Sequence, residues 1–304
     1  MDKVRVYYAG IPVKNTKPEK RNVLKFFHEG VPEGLSKEIE TPTWEPAELA
    51  VMQGWVHKGS DLKSGHLRFR NHLIQKQKEI GKHILAVDSN LFLYKDPKNK
   101  NNYLRFSLND VFPNTGIYFT DNVDPSRWDK IKKELDFDLK PWRQTGDHIL
   151  ICLQRNGGWS MDGLDVMQWL TKTITHICNF TLRDIVVRPH PGDNRVKDYL
   201  KINHPRVKIS KNKDILDDFK GAWCTITYNS SPGVASVIEG IPTFVTDPTP
   251  QRSQAFDVAT TDLSLIESPA IPKREDWIRK IAMSHFNFED LKDGTAWNII
   301  KDYL

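Results

Sequence analysis

Short apolar runs alternate with amphipathic runs in the second half of the chain, and this alternation constrains the fold more than any other feature. Residues 185–187 and 223–228 are apolar runs typical of buried strands, and a polar turn follows each of them. A helix-like run begins at Ser231, directly after the second turn. Strands that alternate with helices predict a parallel sheet with helices on both faces, which binds ligands at the carboxyl ends of its strands.

The same reasoning assigns elements along the whole chain. The strands predicted in the second half are residues 147–153, 184–187, 206–210, 223–228 and 243–246, and the helices are 162–178, 215–222 and 231–239. In the first half the predicted strands are 4–8, 84–87 and 116–119, the helices are 23–27, 64–80 and 125–135, the loop is 32–46, and 47–55 is a short helix or strand. We therefore predict α/β domains over 1–143 and 144–270, with helices over 271–304 packing back toward the first domain.

Polar turns at the predicted strand ends of the second domain carry residues suited to a phosphate. His190 stands between Pro189 and Pro191, which fix the backbone, and beside Arg188. An Arg–His pair can neutralise a phosphate, and Ser231 is a natural helix N-cap. The residues predicted to bind this phosphate-bearing ligand, called the donor below, are Arg155, Asn156, Gly157, Arg188, His190, Asn229, Ser230, Ser231, Gly233 and Glu239. A rigid surface turn and simple helix capping are the alternative interpretations.

Asp88 is the candidate general base of the first domain, because it ends the predicted strand 84–87. A carboxylate at a strand end can take a proton from an attacking hydroxyl. The alternative is an aspartate that only forms the turn Asp88-Ser89-Asn90. Asp88 and His190 are the predicted catalytic residues.

The positive charge of the chain is concentrated in its first half. Residues 1–150 carry 25 Lys and Arg against 20 Asp and Glu, whereas residues 151–304 carry 19 of each. Basic residues and histidines are dense over residues 58–83, with aromatic residues nearby, a pattern that could follow a phosphate backbone and stack on an extruded base. The residues predicted to bind such a polyanion, called the acceptor below, are Trp55, Arg68, Arg70 and Lys76. A solvated basic helix is the alternative.

Other patterns limit the class of protein. No apolar run approaches the ~18 residues of a membrane span, and the N-terminus lacks the apolar core of a signal peptide. Cys152, Cys178 and Cys224 are isolated in apolar segments without zinc spacing, which indicates thiols of a reducing compartment. We predict a cytoplasmic protein without a bound metal or cofactor.

With these residues in view, the chain resembles the family of capsule-polysaccharide glycosyltransferases that includes the bacterial Kdo transferases. The resemblance covers roughly residues 50–250. Its motifs in the second half are Arg188-Pro189-His190-Pro191, Asn229-Ser230-Ser231 and Glu239-Gly240-Ile241-Pro242, and those in the first half are Gln53-Gly54-Trp55, residues 84–92, Gly116-Ile117-Tyr118-Phe119 and Pro125-Ser126-Arg127. The family's Glu-Asp-Gly-Phe element reads Asp88-Ser89-Asn90-Leu91-Phe92 in this sequence, a departure around the base.

The resemblance implies a GT-B-like fold, in which two Rossmann-like domains face a central cleft. It implies that the C-terminal domain binds a nucleotide-sugar, a UDP- or CMP-sugar, and that the N-terminal domain binds the acceptor. Such enzymes usually need no metal. His190, Ser230 and Ser231 match the family's donor-phosphate contacts, and Asp88 best matches its base.

Two classes of function follow from these observations. The first is a glycosyltransferase, with hydroxymethylated DNA of the phage type as the slightly favoured acceptor and a capsule or lipid-linked glycan as the alternative. The second is a non-catalytic nucleic-acid-binding protein that uses residues 58–83. A DNA acceptor predicts binding that weakens steeply with salt, whereas a glycan acceptor predicts little salt dependence.

Overall fold

The computed structural model describes residues 3–12, 18–56, 62–92, 103–156 and 159–304. The chain divides into two compact units. The first unit contains Met1–Phe137 and Ile278–Leu304, and the second contains Asp138–Trp277. The first unit thus takes in most of the tail, over which the sequence predicts helices that pack back toward the first domain.

Two sheets form the framework, one in each unit. The strands in chain order are β1 (Val4–Tyr7), β2 (Ser36–Ile39), β3 (Leu49–Gln53), β4 (His83–Asp88), β5 (Leu104–Leu108), β6 (His148–Cys152), β7 (Asp184–Arg188), β8 (Val207–Ile209), β9 (Ala222–Thr227), β10 (Thr243–Val245) and β11 (His285–Phe286). The α-helices are α1 (Pro18–Gly30), α2 (Gly65–Glu79), α3 (Pro125–Leu135), α4 (Val166–Ile177), α5 (Val196–Tyr199), α6 (Ile215–Phe219), α7 (Pro232–Ile238), α8 (Glu275–Met283), α9 (Phe288–Lys292) and α10 (Thr295–Ile300).

The sheet of the second unit has the order β10-β9-β6-β7-β8, and all of its strand pairs are parallel. Ile149 and Ile151 of β6, Val187 of β7 and Ile226 of β9 are fully buried, and they pack with Leu170 of α4. This result confirms the predicted α/β class. It also places the ends of β6, β7 and β9 at one edge of the sheet, because parallel neighbours end on the same side.

The sheet of the first unit is mixed, with the order β11-β5-β4-β3-β1-β2. Strands β1 to β4 are parallel, whereas β5 is antiparallel to β4, and β11 is antiparallel to β5. The tail contributes more than β11, since Leu291, Trp297 and Ile300 join the core around Val4 and Phe27. A buried ion pair, Arg127 Nη2 to Asp290 Oδ2 at 2.9 Å, joins α3 to α9.

Several predicted bounds were wrong for local reasons. The helix predicted over 162–178 begins at Val166, because Asp162 and Gly163 adopt positive φ and the Asp165 side chain caps the helix by accepting the Gln168 N–H. The loop predicted over 32–46 contains β2. The strand predicted over 116–119 is a single bridge between Ile117 and Leu108, and Phe119 has a φ of 60°.

Candidate functional site

Three polar turns meet at the carboxyl edge of the second-unit sheet, and we call them the polar edge: Gln154–Asn156 after β6, His190–Asp193 after β7, and Asn229–Ser231 after β9. Gln154 and Asn229 bond reciprocally, with Gln154 Nε2 donating to Asn229 Oδ1 at 3.0 Å and Asn229 N donating to Gln154 Oε1 at 3.2 Å. The Asn156 N–H donates to Asp193 Oδ2 at 3.0 Å. The sequence prediction that these turns converge is therefore correct in geometry.

His190 presents a defined hydrogen-bonding face at the polar edge. Its Nδ1 accepts the Gly192 N–H at 3.0 Å. Burial, together with the positive charge of Arg155, holds the pKa of His190 below its usual value, although Asp193 acts in the opposite direction. The imidazole is therefore neutral at pH 7, and because Nδ1 is an acceptor, the proton resides on Nε2.

Gly192 lets a second basic group approach this imidazole. A Cβ atom at Gly192 would lie 2.5 Å from Arg155 Nη2 and 3.2 Å from His190 Cε1. The guanidinium and the imidazole thus lie over the same glycine, and Arg155 itself is exposed. Two N–H-bearing groups at one strand edge can share the oxygens of a phosphate.

The Asn229–Ser231 turn combines a fixed amide with a buried hydroxyl. Asn229 Nδ2 donates to Asp247 Oδ2 at 2.6 Å and to the Ser160 carbonyl at 3.0 Å, so its side chain holds the turn in place. The Ser230 Oγ atom is buried and has no hydrogen-bond partner among the described residues. Ser231 occupies the N-cap position of α7, but its hydroxyl makes no capping bond. A buried hydroxyl without a partner is costly unless a ligand or water satisfies it.

Some predicted donor contacts have structural partners instead. Arg188 is 8% exposed, and its guanidinium pairs with Asp218 and donates to the Asn212 and Lys213 carbonyls at 3.1 and 3.0 Å. Arg188 therefore ties β7 to α6 and to the segment before it. At Gly233, a Cβ atom would lie 3.3 Å from the Thr227 side chain, so this glycine allows α7 to pack closely. Gly157 lies outside the described residues.

Glu239 lies at the opposite end of α7 from Ser231. Its Oε2 accepts a hydrogen bond from Lys140 Nζ at 2.6 Å, while Oε1 is buried without a partner among the described residues. Burial raises the pKa of Glu239 above its usual value. One carboxylate oxygen is thus buried with its hydrogen-bonding capacity unmet within the described residues.

Asp88 ends β4 in the first unit, as predicted, and its carboxylate is held on both sides. Arg105 Nη2 donates to Oδ2 at 2.5 Å, and the Ser89 N–H donates to Oδ1 at 2.7 Å. The Asp88 side chain keeps 30% of its exposure, whereas that of Arg105 keeps 11%. A largely buried guanidinium and a backbone N–H thus fix the orientation of the carboxylate.

His285 fixes the turn that follows Asp88, and sequence reasoning missed it. Its Nε2 accepts the Leu91 N–H at 3.3 Å, and its Nδ1 lies 2.8 Å from the Ile281 carbonyl, to which it donates. Burial is complete and lowers the pKa of His285 to about 3, so the ring is neutral. No local pattern links residues 91 and 285, because the contact depends on β11 returning to β5.

Most of the predicted acceptor-binding side chains are buried or already have partners within the protein. Arg70 is 9% exposed and donates to the Gly10 and Trp55 carbonyls at 2.8 and 3.2 Å, and burial lowers its pKa to about 10. Trp55 packs partly buried against a core cluster. Lys76 pairs with Glu79 at 2.7 Å. Arg68 is exposed, and its Nη1 donates to the Lys63 carbonyl at 2.6 Å.

The described residues contain neither a metal-ligating cluster nor a membrane-spanning helix. Among these residues no group of three or more His, Cys, Asp or Glu side chains could hold a metal ion. No described helix combines the length and the hydropathy that crossing a bilayer requires.

Comparison with known proteins gives similarity in fold. No family model matches the chain, and no curated protein matches its sequence. The chain is similar to the solved structure of KpsC, beta Kdo 2,4 transferase, from Thermosulfurimonas dismutans, with a TM-score of 0.57, 13% identity and 98% of each chain covered. A KpsC beta Kdo 2,7 transferase structure from the same organism has a TM-score of 0.49 and 11% identity, covering 99% of this chain and 100% of its own.

The first of these similarities carries the argument. It extends over nearly all of both chains, and at 13% identity it shows the fold. The predicted GT-B-like α/β fold is therefore confirmed. The chemistry has to be argued from the residues of this chain.

Proposed function

We propose that this protein is a metal-independent glycosyltransferase of the GT-B type, which moves a sugar from a nucleotide-sugar to an acceptor hydroxyl. The observation that carries the proposal is the polar edge, where Arg155, His190 and the Ser230 hydroxyl, which has no partner within the described part of the chain, lie at adjacent strand ends. Ligands of parallel α/β sheets bind at such edges. The similarity in fold to a solved transferase supports the same reading.

The polar edge would bind the phosphate of the donor. His190 has its Nε2–H available for a phosphate oxygen, since Nδ1 already accepts from Gly192. The Arg155 guanidinium would supply positive charge, and Ser230 Oγ would donate a further hydrogen bond. These groups bind the departing nucleotide more strongly as its negative charge develops, which lowers the barrier to transfer.

Glu239 is the proposed contact for the nucleoside of a UDP- or CMP-sugar. Its buried Oε1 lacks a partner among the described residues and can accept from a ribose hydroxyl. Lys140 holds the other carboxylate oxygen at 2.6 Å and so fixes the orientation of the group.

Asp88 would act on the acceptor. Its carboxylate takes the proton of the acceptor hydroxyl while that oxygen bonds to the anomeric carbon of the sugar. The bond between the anomeric carbon and the phosphate oxygen breaks, and its electron pair leaves with the nucleotide. Arg105 and the Ser89 N–H hold the carboxylate in place for this step.

The acceptor we favour is a glycan. The hypothesis of a hydroxymethylated DNA acceptor depended on the basic, aromatic-rich stretch, and there Arg70 is buried, Lys76 pairs with Glu79, and Trp55 packs against the core. A glycan acceptor predicts activity that changes little between 50 and 200 mM salt, whereas a DNA acceptor predicts a loss of about 10³-fold or more.

The test is the release of nucleotide from a panel of UDP- and CMP-sugars, measured by chromatography. We expect His190→Ala to lower the rate by about 10²-fold or more, because it removes a donor that faces the developing charge. His176→Ala is the matched control, since His176 is exposed on α4, and its rate should equal that of the wild type. Equal rates in the His190 and His176 variants would remove the main support for the proposal.

A further inference from the structure

Asp193 is an acidic residue within the polar edge, and its place there needs a reason, because a carboxylate repels a phosphate. The residue is 9% exposed. Its Oδ2 accepts the Asn156 N–H at 3.0 Å and the Tyr199 hydroxyl at 2.6 Å, and its Oδ1 accepts the Arg195 N–H at 3.0 Å. Both carboxylate oxygens thus bind donors of the protein itself.

The bond between Asp193 and Asn156 joins the turn after β7 to the turn after β6. On one side, the Asp193 N–H donates to the His190 carbonyl at 3.0 Å, which closes the turn that carries the imidazole. On the other side, Asn156 is held twice, since its Oδ1 also accepts the Val166 N–H of α4 at 3.1 Å. Arg155 directly precedes Asn156, so these bonds fix the backbone from which its guanidinium reaches toward His190.

Tyr199, the last residue of α5, ties this carboxylate to the core of the second unit. Its ring packs against the core cluster of that unit, and its hydroxyl reaches Asp193. Burial and the bond to Asp193 raise the pKa of Tyr199, so the hydroxyl keeps its proton and donates. A hydroxyl that donates to a carboxylate forms a charge-assisted hydrogen bond. We call Asp193, Asn156 and Tyr199 the Asp193 clamp.

The charge of Asp193 also balances the two basic groups that it holds together. Arg155 is exposed, and its positive charge opposes protonation of the neighbouring His190. Burial would raise the pKa of Asp193, but the Tyr199 hydroxyl, two backbone N–H groups and the Arg155 charge outweigh it and lower that pKa. The ionised carboxylate attracts the Arg155 guanidinium and keeps it beside the imidazole.

We propose that Asp193 is a positioning residue, which clamps the turn of Arg155 to the turn of His190 so that both groups face one phosphate. Tyr199 holds the clamp in place. The inference rests on the proposed function, because it concerns the phosphate-binding pair of that reaction. Since the carboxylate oxygens bind donors of the protein, the contribution of Asp193 to the reaction passes through Arg155 and His190.

The first test reads the pKa of His190 by NMR of its ring without any substrate, with the signal assigned by its loss in His190→Ala. Arg155→Ala removes the positive charge beside the ring and should raise this pKa. Tyr199→Phe changes no charge but loosens the clamp, and we expect it to raise the pKa of His190 as well. In the Arg155→Ala background, Tyr199→Phe should have no further effect, because no guanidinium is left to be displaced.

The second test is a double-mutant cycle on nucleotide release. Asp193→Asn should lower kcat by about tenfold or more, because an amide has one oxygen and cannot accept from both sides of the clamp, and small displacements of positioned groups cost up to about 10²-fold. When Arg155 is already alanine, the same substitution should cost less than about threefold. Asp198→Asn is the matched control, since Asp198 is an exposed acid of α5, and its kcat should equal that of the wild type.

Two results would overturn the inference. One is an unchanged pKa of His190 in Tyr199→Phe, and the other is an equal loss of kcat from Asp193→Asn with and without Arg155, because a residue that only stabilises the fold acts equally in both backgrounds. The pKa measurement needs no turnover. It therefore tests the clamp even if no sugar donor releases nucleotide, a result that would count against the proposed function alone.

Discussion

At the scale of single residues, the two candidate reactive groups are prepared by different partners. Asp88 pairs with a largely buried guanidinium, and burial together with the Arg155 charge holds the pKa of His190 below its usual value. Both arrangements suit a transfer at neutral pH, since the base must begin as a carboxylate and the imidazole must present an N–H.

Replacement of the base is the sharpest residue-level prediction. We expect Asp88→Asn to lower kcat by about 10²- to 10⁴-fold, because the amide keeps the Arg105 bond but cannot take a proton. Asp110→Asn is the control, since Asp110 also follows a strand and its Oδ1 also accepts a neighbouring N–H, that of Val111. A kcat of the Asp88 variant within threefold of the control would exclude Asp88 as the base.

His285 makes stability depend on pH with a definite sign. Its pKa is about 3 in the folded protein and about 6.5 when unfolded, so the unfolded state binds the proton first as pH falls. The free energy of unfolding is therefore unaffected by this group above pH 6.5. It falls between pH 6.5 and pH 3, by up to about 1.4 kcal/mol per pH unit.

The measurement is urea unfolding of the wild type and of His285→Gln, which keeps an acceptor but does not titrate. Between pH 7 and pH 5 the wild type should lose about 2 kcal/mol more than the variant. Equal losses would show that the His285 ring is not held neutral in the folded protein.

At the scale of elements, prediction from sequence succeeded where a strand is a continuous apolar run with a turn beside it. Strands β6, β7 and β9 have this form, and so their turns could be identified as a site. Strand β2 is mostly exposed and β11 has two residues, so neither has a local signal, and both depend on pairing with distant partners. The segment 116–119 misled because Tyr118 and Phe119 are buried by packing rather than by strand pairing.

The same distinction between local and distant signals explains which residues of the candidate site could be predicted from the sequence. Asp88, His190 and Ser230 stand at strand ends that can be read from the sequence. Arg105 and His285 could not be found, because their roles depend on an antiparallel strand and on a tail nearly 200 residues from the turn that His285 holds. The ion pair between Arg188 and Asp218 was not anticipated when Arg188 was predicted as a phosphate contact, because the adjacent His190 gives no sign of that partner.

The packing of the tail against α1 gives an element-level prediction. A Cβ atom at Gly30 would lie 1.8 Å from the Leu291 carbonyl oxygen of α9, a contact that the backbone must move to relieve. Gly30→Ala should lower the free energy of unfolding by about 1–3 kcal/mol. Gly65→Ala is the control, because the nearest atom to a Cβ at Gly65 is Arg68 Nη2 at 4.0 Å, and the substitution should leave the free energy of unfolding unchanged or slightly raised. Similar unfolding free energies for the two variants would refute the close α1–α9 contact.

At the scale of the whole molecule, the division of labour follows the two units. The second unit carries the polar edge, and the first unit carries Asp88. The excess positive charge lies in residues 1–150, whereas basic and acidic residues are equal in number over 151–304. The chain returns to the first unit at Ile278, and His285 of that tail fixes the turn of the candidate base. The tail therefore helps to position the turn beside Asp88 in the first unit.

The central claim is that this protein binds a nucleotide-sugar, and a thermal-shift titration with UDP-, CMP-, GDP- and dTDP-sugars tests it most directly. A ligand that binds only the folded state at 100 times its Kd adds about 2.7 kcal/mol, which raises Tm by several degrees. We predict such a rise for a UDP- or CMP-sugar with the wild type and a much smaller one with His190→Ala. An unchanged Tm with every donor would contradict the account.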